Sequence, residues 1–174
     1  MIRVWLPLLI FFFFVFDGTV MQVFSAHWFG VPYVFVPRFT MVLILFIAVF
    51  LKRSTALLYG LIFGLMTDVV YSDIIGVYFF SMAFTAYLIG SFAPLFRKGW
   101  ASILLLGLLG LVLLEFQVYG LYTIIGIAEI PLHPFLYNRL FPTLVLNAVF
   151  IVLLYSPMRR LFRAIEAANL QESD

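Results

Sequence analysis

Apolar residues fill long runs along this chain, and polar residues are confined to short gaps between them. Six runs approach the roughly 20 residues that a membrane-crossing helix needs. They are Val4 to about Phe24, about Val36–Leu51, Ala56–Tyr71, Ile74–Phe96, Ala101–Ile125 and about Leu140–Tyr155. The expected fold is an all-α integral membrane protein with six transmembrane helices. The second, third and sixth runs are short, which a tilted helix or a locally thin bilayer accommodates. Asp17 and Gly18 interrupt the first run, and Pro7 falls in its first turn, where proline is tolerated. Arg3 and Ser25 flank this run as they would flank a signal sequence. Its apolar core is longer than the usual 7–15 residues of such a segment, so it is expected to stay as a span.

Lys and Arg in short loops set orientation in a membrane. Six spans place Arg3, Lys52, Arg53, Arg97, Lys98, Arg159, Arg160 and Arg163 on one side, and only Arg38 and Arg139 on the other. Both termini are therefore expected in the cytoplasm, with the protein in the cell membrane. Lys52-Arg53-Ser54 and Arg97-Lys98-Gly99 read as tight cytoplasmic turns. The outer loops, Ser25–Pro37 and Gly126–Asn138, carry Pro32, Pro37, Pro131 and Pro134 and are aromatic and apolar. Trp28, Tyr33 and Tyr137 suit a membrane–water interface. The expected organisation is a transmembrane domain over residues 1–157 and a basic tail over 158–174. In the tail Leu161, Ile165 and Ala168 follow helical spacing beside Arg159, Arg160 and Arg163, the pattern of a helix lying on anionic lipid or docking a cytoplasmic partner.

Composition agrees with the pattern. The chain is 66% hydrophobic and 10% charged, against about 45–50% and about 25% in a soluble domain. A formal charge of +2 is too small and too dispersed to suggest nucleic-acid binding. The absence of cysteine excludes disulfides, iron–sulfur centres and Cys-ligated zinc. His27 and His133 are too few for a His-rich metal site, and no cofactor is expected.

The candidate chemistry lies in polar residues inside the spans. Gly60, Gly64 and Asp68 recur at every fourth position, which puts them on one helix face. Two glycines make a smooth strip that another helix backbone can approach. At the end of that strip is a carboxylate that costs about 2.5–3.5 kcal/mol at a bilayer centre. At about 1.5 Å per residue, Asp17, Asp68 and Glu115 lie about 20, 18 and 21 Å from the cytoplasmic edge. Arg38 and Arg139 begin the second and sixth spans from the outer side. Three acids and two bases thus share one depth, and an outward polar cluster tied by arginine–carboxylate pairs is expected, with one acid left over. These groups are either struts between helices, each pair offsetting its own burial, or a site that receives a partner helix or a ligand. Asn147 and Gln117 read as interhelical glue, and Gly107, Gly110 and Gly120 as close-packing glycines.

Catalytic constellations are missing. There is no Gly-x-Gly-Asp or Gly-x-Ser-x motif in a span, no His-Glu-x-x-His and no P-loop. The expected protein is not an enzyme.

Several short motifs, in order and at matching spacing, carry a resemblance over nearly the full length. They are Val36-Pro37-Arg38-Phe39; Tyr59-Gly60 and Phe63-Gly64 with Asp68; Gly76-Val77-Tyr78; Leu114-Glu115-Phe116 and Tyr119-Gly120; and Arg139-Leu140-Phe141-Pro142-Thr143 with Leu146-Asn147. The chain resembles the rod shape-determining protein MreD family, in its form from Gram-positive rods. The resemblance implies a non-enzymatic membrane scaffold of the elongasome, which builds the lateral peptidoglycan wall. It implies an MreC-like single-span partner, and through it the wall synthases (RodA and a class B penicillin-binding protein) and the MreB cytoskeleton. It also implies a topology similar to the six-helix substrate-binding subunits of vitamin transporters. The family brings no catalytic residues. The other reading of the same residues is a small-molecule-binding membrane subunit of a transporter, with the polar cluster lining an outward pocket.

Overall fold

The computed structural model describes residues 2–23, 33–97, 99–128 and 130–171, with side chains described for 6–20, 33–97, 99–128 and 130–165. His27, Trp28, Pro32 and Lys98, and the side chains of Arg3 and Ala168, lie outside the described residues. The described chain is helical, with six principal helices: α1 (Ile2–Val23), α2 (Phe39–Phe50), α3 (Arg53–Tyr71), α4 (Val77–Phe92), α5 (Trp100–Ile125) and α6 (Phe141–Gln171). Four helical segments are long and apolar enough to cross a membrane: Arg53–Tyr71, Val77–Leu95, Trp100–Ile125 and Leu132–Ile165. Large apolar side chains such as Leu8, Phe12, Val69 and Leu153 stay exposed on the outside of the bundle, as they do where the solvent is lipid.

The second expected span is the one the structure alters most. The run from Val36 to Leu51 becomes a helix of 12 residues, Phe39–Phe50, about 18 Å long against a hydrocarbon core of about 30 Å. Pro37 is the reason: it disfavours helix at Val36, so the chain enters extended and the helix starts late. Every residue from Phe39 to Val49 is buried, and α2 touches each of the other five helices. A helix apolar on all sides belongs in the middle of a bundle, and α2 is the core here.

Helices α3 and α4 form a close antiparallel pair. A Cβ placed on Gly60 would stand 2.7 Å from Ala83 Cα, and one on Gly64 would stand 2.5 Å from the Tyr78 carbonyl oxygen. The glycine strip therefore meets a helix of this same chain. Gly107 and Gly110 also pack closely, against Ile151 and Leu45, whereas Gly120 faces open space and is not a packing glycine. Gly18 on α1 holds the Tyr71 ring of α3.

The polypeptide reaches α6 through a short turn at Leu132–Pro134 and a π-helical turn at Phe135–Leu140. Beyond Tyr155 the helix does not stop. It runs through Pro157, so the basic tail is a continuation of α6. Ile165 is buried and Leu161 packs against the core, on the face their spacing predicts. Met158 and Phe162 are buried with them, and Phe162 stacks on Phe50 at 5.3 Å between ring centroids.

Candidate functional site at the acidic end of the bundle

The four described acidic side chains, Asp17, Asp68, Asp73 and Glu115, gather at one end of the bundle, beside the start of α2. Three of them are buried or half-buried, and each has a different kind of partner.

Glu115 on α5 is 1% exposed and takes two arginines. Arg38, at the entry to α2, donates from Nε to Glu115 Oε1 at 2.7 Å. Arg139, in the π-helical turn before α6, places Nε 3.4 Å from Glu115 Oε2, an ion pair too long for a well-formed hydrogen bond. Arg38 also donates from Nη2 to the Tyr78 hydroxyl at 3.0 Å, with its guanidinium carbon 5.0 Å from that ring's centroid. One carboxylate thus joins α2, α5 and the entry to α6, and Tyr78 adds α4.

The two aspartates differ from the expected arginine pairs. Asp68, fully buried, accepts three backbone N–H groups: Gly76 at 2.8 Å, Tyr78 at 2.9 Å and Phe79 at 2.8 Å. Asp17 accepts from Phe39 at 3.1 Å and Thr40 at 2.9 Å. Asp68 therefore caps the start of α4, and Asp17 caps the start of α2. The physical reason is the scarcity of water in a bilayer. The first N–H groups of a helix lack intrahelical acceptors, a membrane leaves them without solvent, and a carboxylate at that end also meets the positive pole of the helix. Gly76 makes the second cap possible. Its φ of +115° lies in the left-handed region that side chains rarely adopt, and that conformation turns the chain into α4 so that the N–H groups of Tyr78 and Phe79 reach the same carboxylate as its own.

Asn147 ties the extended entry of α2 to α6. Its Nδ2 donates to the Val36 carbonyl at 3.0 Å and to the Thr143 carbonyl at 2.8 Å, while its Oδ1 accepts from the Arg38 backbone at 3.0 Å. Thr143 Oγ1 accepts from Val36 N–H at 3.2 Å. Side chains of α6 supply what a neighbouring strand would supply to this extended segment. Gln117 donates to Thr85 at 2.9 Å and links α5 to α4.

Two cavities open beside this network. One, of about 330 Å³, is lined by Asp17, Arg38, Thr40, Tyr71 and Arg139 over an apolar floor that includes Phe14, Met41 and Leu114. The other, of about 450 Å³, is lined by Asp73, Glu115, Tyr119, Tyr122 and Arg139. Tyr78 and Arg139 line both, so they form the wall between them. Of the residues singled out from sequence, Asp17, Arg38, Asp68, Glu115, Arg139 and Asn147 meet at this end. Gly60 and Gly64 lie further along α3, against α4. Tyr78 and Thr143 were not assigned a role from sequence. A signal for Tyr78 existed in its place two residues after Gly76, at the start of a span.

A family model described as rod shape-determining protein MreD matches residues 2–165. The chain belongs to the MreD family. A relative, rod shape-determining protein MreD of Bacillus subtilis (strain 168), is 31% identical over 133 residues, which is 76% of this chain and 77% of the relative. No solved structure matches, so the expected likeness to vitamin-transporter subunits is without support. As an MreD-family member with four helices able to cross a bilayer, the chain is a multi-pass membrane protein of rod-shape determination.

Proposed function

We propose that the chain is a non-enzymatic scaffold of lateral wall synthesis, and that its outward end receives a segment of an MreC-like single-span partner. The observation that carries the scaffold reading is the use made of the buried carboxylates. Asp17 and Asp68 cap helices and Glu115 holds two arginines, so these acids are committed to architecture. The bias of Lys and Arg along the chain orients the acidic end outward, where a partner's wall-side domain begins. The Gly60/Gly64/Asp68 face is filled by α4, which directs the partner to the cavities on either side of Tyr78 and Arg139. Arg139, whose Nε stands 3.4 Å from Glu115 and makes no hydrogen bond to it, faces both cavities and can meet an acidic group on that segment. The partner in turn links the chain to RodA, a class B penicillin-binding protein and the MreB cytoskeleton. A cavity of about 330 Å³ with an arginine rim and an apolar floor also has the size of a small-molecule site, which favours a transporter subunit as the second reading.

Affinity capture from membranes separates the two. A photo-crosslinker at Tyr119 or Tyr122 should link the chain to a single-span wall-synthesis protein, and one at the exposed Val152 should not. Depletion should round the cells without loss of any single nutrient uptake. Capture of an ATP-driven module in place of the single-span protein would replace the scaffold reading by the transporter reading.

A further inference from the structure

We propose that the opposite, basic end of the bundle holds a binding cleft for the phosphate headgroup of an anionic phospholipid, built from the α2–α3 turn and the end of α4. The cleft has a volume of about 590 Å³. Lys52, Arg53 and Ser54 line one wall; Gly90, Ser91, Ala93, Pro94 and Phe96 line the other, with Ala48 and Val49 of α2 between them.

Four features favour an anionic amphiphile. Charge is segregated along the molecule: all four described acids sit at the far end, beyond α2, and Lys52 and Arg53 have no described carboxylate near them. Arg53 is held in place at the rim. Its Cβ abuts the Gly90 position, where an added Cβ would stand 2.8 Å away, and its guanidinium carbon lies 5.4 Å from the centroid of the Tyr87 ring. The inner surface is mostly apolar, so the cleft offers cations at its rim and hydrocarbon-like walls within, the order of groups in a phospholipid. The uncapped start of α3, with no acid in its first turn, adds donors on the same side. A small soluble anion would use the rim and leave the apolar walls wet, whereas a lipid uses both.

The test uses the full chain purified in detergent and exchanged into phosphatidylcholine nanodiscs doped with phosphatidylglycerol, with bound lipid read by native mass spectrometry. Wild type should retain phosphatidylglycerol in preference to phosphatidylcholine. Lys52→Gln combined with Arg53→Gln should lower that preference at least about tenfold, the change expected from removing two cations. Ser91→Trp, which fills the cleft and leaves both charges, should lower it as well. Arg159→Gln, Arg160→Gln and Arg163→Gln together should leave it unchanged, because the cleft is built without α6. Gel filtration and thermal unfolding confirm that each variant is folded. An unchanged preference in the folded Lys52/Arg53 variant would overturn the proposal. So would loss of preference in the α6 variant alone, which would assign the lipid to the tail. Equal retention of both lipids by wild type would overturn it too.

Discussion

At the scale of single residues, the buried carboxylates divide the work by partner type. Glu115→Gln removes the charge that two arginines share, and breaking such a buried group costs about 3–5 kcal/mol. Thermal unfolding in detergent should show a large fall in midpoint, and a charge-neutral pair of Arg38→Gln with Glu115→Gln should recover part of it. Asp68→Asn replaces an acceptor of three N–H groups by a side chain that presents a donor to at least one of them. A loss of about 1–3 kcal/mol is expected, read the same way, with faster hydrogen exchange at Gly76, Tyr78 and Phe79. The depth argument brought Glu115, Arg38 and Arg139 together from spacing alone, because a constant rise per residue makes depth readable. It paired the aspartates with arginines because side-chain charges are visible in a sequence and empty backbone donors are not. The acceptor of α4's first N–H groups lies a turn of chain earlier, across the helix pair, and nothing local marks it.

At the scale of helices, glycine has opposite meanings at two positions. Gly64→Val drives a branched side chain into the Tyr78 carbonyl, and the α3–α4 pair must part. Backbone cannot yield as a flexible side chain can, so a loss at the upper end of about 1–3 kcal/mol is expected. Gly120→Ala meets nothing within 4 Å and should raise stability by up to about 1 kcal/mol through helix propensity. Parallel melting curves for the two variants should move in opposite directions. The every-fourth spacing of Gly60, Gly64 and Asp68 revealed the first case, since it defines a face. A lone glycine such as Gly120 defines none. Hydropathy sets two helix starts too early, at about Val36 and Ile74, because apolar residues run on across Pro37 and Gly76, after which the helices begin at Phe39 and Val77. The end of α6 was not readable either, because Pro157 reads as a break and the helix carries on through it.

At the scale of the whole molecule, a short apolar core helix is wrapped by longer ones, with the described acids at one end beside Arg38 and Arg139, and Lys52 and Arg53 at the other. Hydropathy showed six apolar segments but not which one is central, because a lipid-facing residue and a core residue are equally apolar. The tail contributes to this core. Phe162→Ala should cost about 3 kcal/mol by removing the ring stacked on Phe50, and protease digestion of membrane vesicles should then release the tail more readily.

The closure of the start of α2 by residues before and after it in the chain has a consequence for biogenesis. Its start is held by Asp17, made before it, and by Asn147, made 109 residues after Arg38. While the ribosome is still supplying the later spans, the extended entry at Val36–Arg38 has no α6 to satisfy it, and Arg38 has no Glu115. A nascent chain therefore carries an unfinished polar seam in the bilayer until its last helix arrives. The seam closes only when α5 supplies Glu115 and α6 supplies Asn147, so a chain cut short before α6 should leave Val36 and the Arg38 backbone without Asn147.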